Sequence, residues 1–76
     1  MAIRFSRHAR RQMKWRHVSE SEVESVLDAP DRVEQSVDDR CNAYKVVGDR
    51  FLKVTYVDEE GDVVVITVME KESAGA

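Results

Sequence analysis

The stretch Ser6-Arg7-His8-Ala9-Arg10-Arg11, followed by Arg16-His17, holds the side chains best suited to chemistry in this sequence. On a helix, His8 lies three and four residues before Arg11 and Gln12, so these three side chains share a face. An imidazole exchanges protons near neutral pH, and a guanidinium grips a phosphate through two parallel bonds. Metal-independent RNA cleavage needs groups of this kind. It requires a base for the 2′-hydroxyl, an acid for the leaving oxygen and cations to stabilise the phosphorane. Arg7, Arg10 and Lys14 surround the same segment and are the candidate nucleic-acid contacts. The residues also suit a purely structural arrangement, with His8 packing or capping and the arginines solvated. Sequence alone leaves both readings open.

Other chemistries lack their residues. Gly48, Gly61 and Gly75 are scattered singles, so no loop can cradle a phosphate, and neither a nucleophile elbow nor HExxH occurs. Cys41 is the only cysteine, which leaves no internal disulfide and no Cys/His quartet for zinc. It reads as a loop cysteine, and the acid pairs Asp38-Asp39 and Glu59-Glu60 read as solvated loop residues. Neither a metal nor a cofactor is expected. No apolar run approaches the ~20 residues of a membrane span, and no leader-like stretch follows Met1, so cytoplasm is the expected compartment.

The elements that must position the basic segment can be read from charge and periodicity. The formal net charge is -3, but residues 1–17 carry six of the twelve cations and none of the fifteen acids, which makes that segment +6 and the remainder -9. Such segregation marks either an anion-binding surface or an internal match between a basic and an acidic helix. Ser6 is a good N-cap for a helix over 7–15, with Phe5, Ala9 and Met13 as its apolar stripe. Ser19 and Glu22 form a capping box for a second helix over 20–28, with Val18 and Val23 as hydrophobic staple. Val23, Val26 and Leu27 are its buried stripe, and Pro30 ends it. Trp15 is expected to close the space between the two helices.

Beyond Pro30 the period shortens to two. Strands are expected over 32–37, 43–47, 51–57 and 63–69, with a turn at 59–62, and residues 3–5 suit a brief edge strand. The predicted fold is α+β: two N-terminal helices packed on one face of a four-stranded antiparallel meander. It forms a single domain over 1–70, with a frayed tail over 71–76. Leu52, Val54, Val64, Ile66 and Val68 are assigned to the helix-covered face. Lys53, Thr55, Thr67, Val63, Val65 and Met69 are assigned to an open face mixed enough to bind something. Tyr44, Phe51 and Tyr56 are expected as core or edge cover.

Three blocks carry a family resemblance. They are Ile3-x-Phe5-Ser6-Arg7-His8-Ala9, Gln12-Met13-x-x-Arg16-x-Val18-Ser19 and Glu22-Val23-x-x-Val26-Leu27-x-x-Pro30. With Gly48-x-x-Phe51-Leu52-Lys53-Val54-x-Tyr56 and Val64-x-Ile66-Thr67-Val68, the chain resembles a family of small bacterial proteins known as a domain of unknown function, of the DUF4258 type. That family is similar in its helix–helix–sheet order to RelE/ParE-type and BrnT-type toxins, which include messenger-cleaving ribonucleases. The resemblance implies an RNA-directed role, within a toxin–antitoxin pair, with RNA and an antitoxin-like protein or a second copy as partners. By the same analogy His8, Arg11 and Arg16 on the helix, with Lys53 and Thr67 on the sheet, are the candidate catalytic residues. The alternatives are a non-enzymatic interaction module working through the open sheet face, and a degenerate toxin without activity.

Overall fold

The computed structural model describes residues 2–71. In chain order the elements are β1 (Ile3–Phe5), α1 (Arg7–Arg16), α2 (Glu20–Asp28), β2 (Arg32–Gln35), β3 (Cys41–Val47), β4 (Arg50–Glu59) and β5 (Asp62–Lys71). Both helices lie where capping and periodicity put them. Ser6 Oγ accepts from Ala9 N–H at 3.0 Å, and the Ser19/Glu22 box closes through bonds of 3.1 and 2.9 Å. The Ser19 N–H bond holds the Glu22 carboxyl below its ordinary value, against the opposing effect of desolvation, and Arg50 adds to the lowering.

The sheet has five strands in the order β1-β5-β4-β3-β2, not four. β1 joins as a parallel edge strand beside β5, in the register Ile3↔Val63 and Phe5↔Val65, while all other pairs are antiparallel. Cys41 is the first residue of β3 and not a loop residue. Lys71 is still part of β5 and pairs with Phe51 of β4; the rest of the expected tail, 72–76, lies outside the described residues.

A second correction concerns which side chains face the helices. Between Thr55↔Thr67 and Tyr56↔Val65 the β4–β5 register shifts, leaving Ile66 as an extra residue on β5. One inserted residue reverses the alternation beyond it. Leu52, Val54 and Val68 are fully buried as expected, but Val65 is the next buried residue, and Val64 and Ile66 are only partly covered. The core comprises Ala9, Met13, Val18, Val23, Val26, Ala43, Leu52, Val54, Val65 and Val68, with Ile3, Phe5, Leu27, Val47 and Tyr56 packed against it. Each fully buried aliphatic side chain contributes about 1.5–3 kcal/mol.

The face turned from the helices carries Tyr44, Phe51, Lys53, Thr55, Thr67 and Met69 by strand alternation. It is self-packed in part. Tyr44 and Phe51 stack with centroids 5.9 Å apart, Arg32 lies 4.5 Å over Tyr44, and Thr55 Oγ1 donates to Asn42 Oδ1 at 2.7 Å. Burial, and then its bond to Glu34, raises the Tyr44 hydroxyl above its ordinary pKa.

Candidate nucleic-acid interface

Three contacts fix α1 against the sheet. At its start, Ser6 Oγ donates to the Ile66 carbonyl at 2.9 Å. At its middle, Gln12 Oε1 accepts from Val68 N–H at 2.9 Å, satisfying an edge group of β5 that β1 is too short to reach. At its end, Arg50 acts as a clamp. Its Nη1 donates to the His17 carbonyl at 2.9 Å and its Nη2 to the Arg16 carbonyl at 2.6 Å. Glu22 and Glu70 hold the same guanidinium at 3.4 and 3.1 Å. The last carbonyls of a helix have no partner within it, so a charged fork there replaces bonds the helix cannot make. His17 occupies the left-handed conformation (φ 57°) that closes the helix, and Val18 N–H returns to the Met13 carbonyl at 2.8 Å.

With Ala9 and Met13 turned into the core, the opposite side of α1 is left outside. There His8, Arg11, Gln12, Lys14, Trp15 and His17 line a surface pocket of about 720 Å³. No carboxylate lines it. Trp15 is 75% exposed and forms one wall, so it does not fill the space between the helices. The Arg16 guanidinium lies 5.3 Å over the indole, and Arg16 Nε is shielded from solvent with no hydrogen-bond partner among the described residues.

The other basic residues have separate fates. Arg10 pairs with Glu20 at 3.0 Å and lies 5.1 Å over Phe5, so the internal match between the basic and acidic helices is made at this pair. Arg7, Arg11 and Lys14 make no ion pair among the described residues and stand exposed. Of the residues proposed for catalysis, His8 and Arg11 meet in the pocket, and Arg16 backs its tryptophan wall. Lys53 and Thr67 do not join them. Lys53 pairs with Met69 and Tyr44, Thr67 pairs with Thr55, and both project from the uncovered sheet face.

Sequence reasoning singled out His17 without giving it a role, and missed Trp15 as a pocket residue and Arg50 as the support of the helix end. Trp15 had a signal. It lies about 200° around the helix from Met13 and about 20° from His8, at 100° per residue. Arg50 had none, since its partners are 20 to 34 positions away.

A second concavity, of about 520 Å³, lies where α2 meets β1 and β5, and Glu24 and Asp28 are its charged lining residues. Among the described residues no group of three or more His, Cys, Asp or Glu could hold a metal ion, and no helix is long and apolar enough to cross a membrane.

A family model described as Domain of unknown function (DUF4258) matches residues 5–70. The chain belongs to the DUF4258 family. No curated protein and no solved structure matches it. The DUF4258 domain takes in all of α1, α2 and their connection, and so the entire α1 pocket. Arg50 and both of its carboxylate partners lie inside it, with Glu70 as its last residue.

Proposed function

We propose that this DUF4258 protein binds RNA along α1 and that His8 is the proton-transfer group of a metal-independent cleavage there. One observation carries the reading: an acidic protein presents a pocket lined by two imidazoles, a guanidinium and an ammonium, with no carboxylate among them. The acidic remainder of the chain repels a polyanion, which confines an RNA strand to this face. In the cleavage, His8 removes the 2′-hydroxyl proton, the 2′-oxygen bonds to phosphorus as the P–O5′ bond breaks, and the leaving 5′-oxygen takes a proton from the resulting imidazolium or from water. Arg11 stabilises the charge developing on the non-bridging oxygens of the phosphorane. Work within a toxin–antitoxin pair is the narrower form of the proposal and rests on the resemblance in element order. A second reading, a non-enzymatic interaction module, is favoured by the half-exposed Val46 beside Phe51 on the uncovered sheet face.

Labelled RNA and a salt series test these readings. Reversing charge at Arg11 and Lys14 should weaken binding and flatten the log–log salt slope by about 1.4 for two single-strand phosphate contacts. His8→Ala should leave binding nearly intact and abolish cleavage, because proton transfer contributes to the transition state more than to the ground state. RNA bound but never cleaved by the wild type would identify the inactive form of the fold. No RNA affinity at low salt, together with a stable dimer, would overturn the proposal in favour of the interaction module.

A further inference from the structure

We propose that Trp15 is a stacking platform for an unpaired nucleobase, so that the α1 pocket takes single-stranded and not duplex RNA. This deepens the RNA-binding proposal and rests on it. Trp15 is the chain's single tryptophan, and three quarters of its surface faces water although α1 has a core to bury side chains in. The ring is also held in place. Arg16 lies over it at 5.3 Å and is not part of the pocket lining, so the cation covers one face of the indole while the pocket meets another part of it. Arg16 belongs to the turn that Arg50 clamps through two carbonyls, which fixes the backbone from which the tryptophan–arginine pair projects.

The surroundings match a nucleotide more closely than they match an apolar partner. Arg11 precedes Trp15 by four residues and His8 by seven, so the three form one row on the helix surface. Along the axis Arg11 stands about 6 Å from Trp15 and His8 about 10 Å. A base on the indole therefore directs its phosphate toward Arg11 and Lys14 and the neighbouring ribose toward His8. Aromatic stacking needs an open base face, which a duplex keeps covered by its own neighbours. An apolar protein segment would gain the indole but would leave the cations around it without counter-charge.

The single tryptophan makes the test local. Intrinsic emission is titrated with a single-stranded RNA oligomer and with the same sequence annealed to its complement. The single strand should quench the emission and bind at least about 10-fold more tightly than the duplex. Trp15→Leu should weaken single-strand binding by about 10-fold or more, since stacking on one aromatic accounts for that much. It should leave duplex binding unchanged, while Trp15→Phe retains most of the affinity. Circular dichroism checks that the variants fold, as expected for so exposed a side chain. Equal affinity for strand and duplex, or a Trp15→Leu protein that binds like wild type, would overturn the platform and leave RNA binding by α1 standing. Emission that shifts with protein concentration in the absence of RNA would also overturn it, by assigning the indole to self-association. Failure to bind either RNA would bring down both proposals.

Discussion

Arg50→Ala is the most informative single perturbation of the framework around the pocket. The side chain is 21% exposed and makes four contacts, two to α1 carbonyls and two to carboxylates on α2 and β5. A net hydrogen bond is worth about 1 kcal/mol, so losing the two carbonyl bonds removes about 2 kcal/mol. The ion pairs are partly exposed and screened, and together they add about 1 kcal/mol. The total, about 3 kcal/mol, is a large part of the roughly 4–11 kcal/mol expected for a domain of this size. It should lower Tm by roughly 12–24 °C. Arg50→Lys should recover part of the loss, because an ammonium keeps the charge but cannot fork across two carbonyls. Thermal and urea unfolding followed by far-ultraviolet circular dichroism give both values. A change below about 0.5 kcal/mol in Arg50→Ala would refute the clamp on the Arg16 and His17 carbonyls.

Two further predictions concern α2. Ser19→Ala should cost about 1 kcal/mol, since it removes the bond to Glu22 N–H and the reciprocal geometry of the box; equal urea midpoints at equal slopes would mean the box does not form in solution. The folded-state pKa of Glu22 is lowered, so its contribution is present above the unfolded value of about 4.3 and is lost as pH falls through the folded one. Glu22→Gln should therefore destabilise the protein at pH 6 and reduce the loss of stability on acidification, and an unchanged pH slope in urea unfolding would count against the contact.

What could be read in advance was local. Ser19 and Glu22 are three residues apart, and their bond depends on nothing beyond one helical turn. The same is true of Ser6 and of the Ala9–Met13 stripe. What could not be read depends on partners far along the chain. β1 has only three residues, and its pairing is decided by Val63 to Val65, sixty positions later. The extra residue at Ile66 leaves no mark in a run of β-branched residues, yet it exchanges Val64 for Val65 in the core. A two-residue period identifies a strand but carries no information about where it slips.

The candidate site divides along the same line. Lys53 stands between Leu52 and Val54, both fully buried, so alternation alone turns it away from the helices. Thr67 precedes buried Val68 and is turned away for the same reason. A resemblance transfers residues by chain position, and chain position does not record which side of the sheet a residue occupies. His8 and Arg11 belong to a helix packed on the other side, and no rotamer of Lys53 alters that. The proposed chemistry in the α1 pocket therefore has only the pocket's own lining to draw on. There the one imidazole in a row with Arg11 and Trp15 is His8, and His17 stands at the clamped end of the same helix.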